Sequence, residues 1–394
     1  MKTGVKKLLS VLSFSVAIAM LSSCTTSSPA GEKKITRIWL SYNATQPQNI
    51  VVNWFTPVAG DSEVELVYGD STHIYAGVSR QDTLHHVEVP LSWKDASYRY
   101  RVRSGDYTSE WYSFRGITPT EAVRIVFIAD WGFAVHADMS VVLSEDPNLI
   151  VTGGDNIQGL FIYGKKGDPE EIESYLRLVD SFPDLFRSVP FMPAPGNHDK
   201  QLYPRGKKPP VGYDLYDTNA VAFRNFFELP GKEWRWTLDV PATNLRIVAL
   251  DLQHLSDIGT TWQTCHSYGP GSDQYQWYKK QMECNPCKNI ITISNGKNGT
   301  VRTMAGGIWK PLTQKSDVVI TGSGYYAEYA IVDGTPYLNS SLIAGDLWSD
   351  PVAEYSKSEA SYVLITADRD KANVQLKRLK DRSVIYGIEL ESKN

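Results

Sequence analysis

From Ala122 onward, short apolar runs end one after another in a polar residue, and this pattern sets the class of fold. Arg124 to Ala129 ends at Asp130, and Leu149-Ile150-Val151 leads into Gly153-Gly154-Asp155. Val189 to Ala194 leads into Gly196-Asn197-His198-Asp199, and Leu245 to Leu250 ends at Asp251. Ile290 to Ile293 ends in Ser294-Asn295, and Val318 to Ile320 in Gly322-Ser323. Continuous apolar runs of this length read as strands covered on both faces. Helical patterns at Glu170 to Val179 and Asp273 to Met282 fall between some of them. Such an α/β sheet binds its ligands at the carboxyl ends of its strands, so the terminal polar residues are expected along one edge.

The segment from Ile35 to Arg115 reads differently. Glu63 to Tyr68 alternates, with Val64, Leu66 and Tyr68 on one face, as do His86 to Val89, Tyr98 to Arg103 and Trp111 to Phe114. Ile50 to Trp54 is a further short strand, and Ala59-Gly60-Asp61 is a turn signal. Several short strands at this spacing predict an all-β sandwich. His85 and His86 are expected on a strand, as packing or surface residues. Gly116 to Thr120 is the linker, and a chain of 394 residues accommodates both parts.

Lys2, Lys6 and Lys7 precede an apolar stretch from Leu8 to Leu21 that is too short and Ser-rich for a comfortable membrane span. It reads as a signal peptide, residues 1–23. Leu21-Ser22-Ser23-Cys24 resembles the bacterial lipobox, so Cys24 is expected to carry a lipid anchor and 24–34 to form a tether. The expected location is the bacterial outer membrane, on its periplasmic or surface face. The net charge of -4 points away from a nucleic-acid partner. In an exported chain Cys265, Cys284 and Cys287 should oxidise where geometry permits, Cys265 pairing with Cys284 or Cys287.

Asp130-Trp131-Gly132, Gly154-Asp155-Asn156 and Gly196-Asn197-His198-Asp199 together resemble the calcineurin-like metallophosphoesterases, in particular the purple acid phosphatases. Gln274 and Trp277 add a further landmark. Val67-Tyr68-Gly69-Asp70, His85-His86-Val87 and the Tyr98 to Val102 strand resemble the fibronectin-III-like domain that precedes many of those enzymes. The resemblance covers nearly the whole mature chain. It implies a fibronectin-III-like all-β sandwich over 35–116, then an α/β metallophosphoesterase sandwich over 120–394, with two mixed sheets flanked by helices. It also implies that Asp130 binds one metal, Asp155 bridges two and Asn197 binds the second. His198 would contact the phosphoryl group and protonate the leaving oxygen.

The departures shape the functional expectation. The family's phenolate tyrosine is Gln158 here, Asn295 stands for one histidine, and Ser323 and Tyr325 stand for two more. Oxygen donors suit magnesium or calcium better than zinc or iron. The expected centre is one hard divalent cation held by Asp130, Asp155, Asn197 and Asn295. His198 is the expected acid, and Gln158, Arg205 and Tyr325 are the expected substrate contacts. The loop from Lys200 to Tyr216 reads as an anion-binding rim or a solvated loop. Tyr325 and Tyr326 with Trp131 suggest an aromatic floor, His136 a pocket wall, and His254 or His266 a replacement ligand. The first reading is a hydrolase of a phosphate or other anionic ester. The alternatives are a silent glycan- or anion-binding lipoprotein and a true acid phosphatase with substituted ligands.

Overall fold

The computed structural model describes residues 33–391, apart from 78–81, 93, 95, 166–167, 169, 201–202, 205–219, 242–243, 253–255, 258–260, 264–265, 285–287 and 346. The signal reading, Cys24 and the tether up to residue 32, Arg205 with most of its loop, His254, Cys265 and Cys287 therefore lie outside the described residues, while Lys33–Lys34, read as the end of the tether, instead pair as a short strand with Tyr107–Thr108. Cys284 is exposed with a free thiol. No described helix is long and apolar enough to cross a membrane.

The apolar runs form strands close to where the pattern puts them. Val123–Ile128, Leu149–Thr152 and Phe191–Pro193 pair in parallel, and Ser361–Ala367 lies antiparallel beside Val123–Ile128. Lys371–Arg378 and Val384–Glu391 complete this six-stranded sheet. A second sheet of seven strands runs in parallel through Leu245–Leu250, Asn289–Asn295, Val318–Gly322 and Thr335–Asn339. Antiparallel strands flank it on both sides. Both sheets are mixed, as expected. They meet at the carboxyl ends of the parallel strands, where Leu342 N donates to Ala129 O and Trp236 Nε1 to Pro193 O.

The helices follow from local signals. Ser272 caps Asp273–Glu283 by accepting from Tyr275 N at 3.2 Å, and Gln274, Tyr278 and Met282 at a spacing of four form its buried stripe. Glu173–Ser181 buries Tyr175, Leu176, Leu178 and Val179.

The N-terminal part is β-rich, with Ile38–Ser41, Asn49–Gly60 and Asp82–Pro90 in one sheet and six strands in another. The strand expected at Ile50 to Trp54 runs on to Gly60, because Gly60 pairs with Asp82 past a register shift. Glu65 is buried beside Val64 and Leu66, against the alternation, because Arg101 and Arg103 hold its carboxylate at 2.8 and 2.9 Å. His85 is buried on Trp54 and bonded to Thr56 and Ser62, while His86 bonds Asn53. Everything from Lys33 packs as one unit. Trp39 stacks on Phe226 at 4.0 Å and donates to its carbonyl, and Arg37 grips Asp180 through two nitrogens. Gln46 reaches Asp239, which Arg246 and Lys288 also hold.

Two outcomes follow from this packing. Trp39→Ala removes a fully buried ring and its hydrogen bond, and should cost about 3–5 kcal/mol of unfolding free energy in urea melts. Burial lowers both His85 and His86 from 6.5 to about 4. Between those values the unfolded chain takes up protons that the folded chain refuses. Stability should therefore fall as pH drops from 6.5 to 4, by up to about 1.4 kcal/mol per pH unit for each histidine. His85→Gln with His86→Gln should flatten that dependence in denaturation curves taken across the window.

Candidate metal centre

The loops after the first three parallel strands touch backbone to backbone. Gly132 N donates to Asp155 O, and Asp130 N to Gly154 O. A Cβ on Gly132 would stand 2.0 Å from the Ile157 carbonyl carbon. Gly154 has φ +85, and a Cβ there would strike Gly196 at 2.7 Å. Only glycine allows this approach. Asp130, Asp155 and Tyr325 take left-handed backbone at φ 56, 53 and 66. Each costs on the order of 1–2 kcal/mol, and strain of this kind gathers at functional sites.

Asp130 is fully buried, and among the described residues neither carboxylate oxygen has a hydrogen-bond partner. Asp155 and Ser341 lie against it. Burial first, then the Asp155 charge, pushes the Asp130 carboxyl well above the usual range. Asp155 Oδ1 accepts from His198 N at 3.1 Å. Asn197 is buried between Gly196 and His198. Asp199 works on the loop itself, accepting from Gly196 N at 2.8 Å and from both nitrogens of Asn156. Burial and the Asp155 charge raise its carboxyl to about 7.

Asn295 lies on the same edge. Its Nδ2 donates to Gly153 O at 2.8 Å and to Gly322 O at 2.7 Å, one from each sheet. Those two carbonyls settle which end of the amide is nitrogen. Its Oδ1 is buried without a partner among the described residues, as is Ser294 Oγ. Ser323 gives its carbonyl to Asn339 Nδ2.

His198 is half-buried above the carboxylates. Its Nδ1 lies 2.8 Å from Gln158 O, and a carbonyl only accepts, so Nδ1 carries the hydrogen and Nε2 is the nitrogen left to act. The Phe133 ring meets His198 edge-on at 4.8 Å and Tyr325 at 5.6 Å. The aromatic wall is thus Phe133 with Tyr325. Trp131 is instead buried against Phe186 and Phe191, and Tyr326 is buried with its hydroxyl on Trp348 O. Trp131 turns into the core at the start of a short 3-10 turn, which leaves Phe133, two positions on, only half-buried. Gln158 serves through its carbonyl, and its exposed side chain borders a cavity of about 280 Å³ with His136 and Arg177. His266 is taken up by Asp251, with Nδ1 at 2.5 Å, and stacks on Trp234 at 3.6 Å. Buried Lys200 holds the other oxygen of Asp251 at 2.6 Å. Burial would raise the Asp251 carboxyl, but Lys200 and His266 more than offset it and hold it below the usual range. Phe133 and Ser341 were missed from sequence. Ser341 follows the strand Thr335–Asn339, so the rule of polar residues at strand ends applied to it as well.

A two-sheet α/β sandwich with paired buried carboxyls at its strand ends defines a metal-dependent phosphoesterase scaffold. The chain belongs to the calcineurin-like phosphoesterase family, which residues 123–364 match. It is similar in structure to purple acid phosphatase PPD1 from yellow lupin (Lupinus luteus) seeds, with a TM-score of 0.68 and 14% identity over 91% of this chain and 74% of that one. It is also similar to PhoD, with a TM-score of 0.63 and 11% identity over 93% of this chain and 92% of that one. At such identities the likeness is one of fold. No curated protein matches the sequence.

Asn295→Asp tests the strap that joins the sheets. The variant keeps an oxygen for a cation but loses both donors to Gly153 and Gly322. In chelator it should be about 2–4 kcal/mol less stable than the parent by urea denaturation.

Proposed function

We propose that this chain hydrolyses a phosphate or other anionic ester at a centre built for one hard divalent cation, magnesium or calcium. The observation that carries the reading is the buried Asp130 carboxyl, neither of whose oxygens has a hydrogen-bond partner among the described residues, set against Asp155. Burying such groups unpaired is costly, and a cation between them offsets both the desolvation and the repulsion. Asp130, Asp155, Asn197 and the Asn295 amide oxygen would hold it. The donor set is all oxygen, which fits magnesium or calcium better than a zinc–iron pair. The bound cation would supply Lewis-acid polarisation of the ester.

The remaining tasks fall to this chain's own side chains. Gln158 O keeps the His198 ring oriented, so Nε2 can give a proton to the leaving oxygen. Phe133 and Tyr325 exclude water on one side. Arg205 and Gln158 are the proposed substrate contacts. The lipobox-like Cys24 supports an exported, outer-membrane-anchored enzyme.

A silent glycan- or anion-binding protein is the second reading. Both amide hydrogens of Asn295 are committed to joining the sheets, and among the described residues no three His, Cys, Asp or Glu gather into a metal cluster.

Elemental analysis and turnover of phosphate and sulfate esters separate these readings. The mature protein should be colourless, carry at most one hard divalent ion and turn over aryl phosphates weakly. His198→Ala should lower whatever rate is found by roughly 10²–10⁴-fold, and Asp155→Ala should abolish it. About two equivalents of zinc or iron would overturn the single-cation reading. Turnover indifferent to both variants would place the chemistry elsewhere, and binding without turnover would favour the silent protein.

A further inference from the structure

We infer that the cavity walled by Lys297 and Trp348 receives the leaving-group side of the ester, as a ring that bears a second anionic group. The inference rests on the proposed reading of the neighbouring centre. Lys297 is two residues past Asn295, so its Cα lies within about 7.6 Å of that of Asn295. Gly324, inside the loop that carries Ser323 and Tyr325, lies against the indole, and a Cβ there would be 3.4 Å from Trp348 Cδ1. The loop bearing Trp348 is fixed to the centre at two points. Gly345 N donates to Tyr325 O at 2.8 Å, and Tyr326 Oη donates to Trp348 O at 3.1 Å.

The cavity is about 790 Å³, large enough for a substituted ring. Its wall leaves Trp348, Leu347 and Val352 at 57%, 50% and 54% exposure. Large apolar side chains grouped this way at the mouth of a site call for a partner. The charges behind them are already settled. Arg302 pairs with Asp350, whose N–H meets Glu328, and Asn298 holds the other Glu328 oxygen. Lys297 is different. Its Nζ lies 3.7 Å from the Trp348 ring centroid, and it has no carboxylate partner among the described residues. A neutral ring would cover this cation without compensating it, and a bare anion would leave the apolar wall wet. A ring-borne carboxylate, phosphate or sulfate satisfies both.

The test is calorimetric binding to the full mature chain with Mg²⁺, using methyl phosphate, phenyl phosphate, 4-carboxyphenyl phosphate and benzoate. Phenyl phosphate should bind roughly three- to tenfold more tightly than methyl phosphate, the worth of one ring contact. The 4-carboxy compound should gain about a further tenfold. Trp348→Ala should remove the first gain and Lys297→Met the second, with methyl phosphate unchanged in both. If phosphates bind and Asp155→Asn weakens them, but neither cavity variant alters the ranking, the inference is overturned and the centre stands. If benzoate binds with dependence on Lys297 and Trp348 while no phosphate ester binds, the anionic-ring site stands and the reading of the centre fails.

Discussion

One side-chain amide joins the two halves of the cleft. Asn295 Nδ2 donates at once to Gly153 O in the first sheet and Gly322 O in the second. Without it, two buried carbonyls at the sheet junction would lose their shared donor, each at a cost of about 1–3 kcal/mol. The glycine contacts between the first three loops require the same closeness. With the sheet ends held together, Asp130 and Asp155 lie side by side and the Asn295 amide oxygen is left buried. The residue that departs most visibly from the family's histidine pattern is therefore also the one that binds the scaffold together.

The charge arrangement divides into a settled half and an unsettled half. Lys200, Asp251 and His266 form a buried group whose charges answer one another, with Gln274 bonded to the backbone of Asp251 in both directions. Asp199 is likewise surrounded by donors. Asp130 and Asp155, by contrast, stand carboxyl against carboxyl with too few donors. Chains rarely bury such a pair without a functional reason. The contrast between neighbouring clusters at one sheet edge directs attention to the Asp130–Asp155 pair.

The N-terminal strands contribute to this precision from a distance. Trp39 and Arg37 hold Phe226 and the helix Glu173–Ser181, and Tyr175 on that helix donates to the backbone and carboxylate of Asp199. The path from the β-rich layer to the Gly-Asn-His-Asp loop is thus a short chain of buried contacts. Rigid supports of this sort keep a site's side chains within a fraction of an ångström of their working positions.

Much of this architecture was legible in the sequence. Apolar runs ending in Asp130, Asp155, Asn197 and Asn295 determine buried strands and a shared polar edge, because strand period and burial are local properties. What a side chain does at that edge depends on neighbours far away along the chain. Asn295 reads as a lost histidine and is a strap between sheets, since its two carbonyl partners lie 142 and 27 residues away. Gln158 reads as a side chain and acts through its carbonyl. Trp131 reads as part of the aromatic floor and lies in the core, while Phe133 takes that place because a short 3-10 turn rotates it outward. The six apolar strands that lead to the polar edge follow from the sequence alone, whereas the remaining strands and the order within each sheet do not. The division of the polar residues into unpaired carboxyls, straps and charge partners is decided by tertiary structure, because hydrogen bonds across two sheets exist only once both sheets are packed.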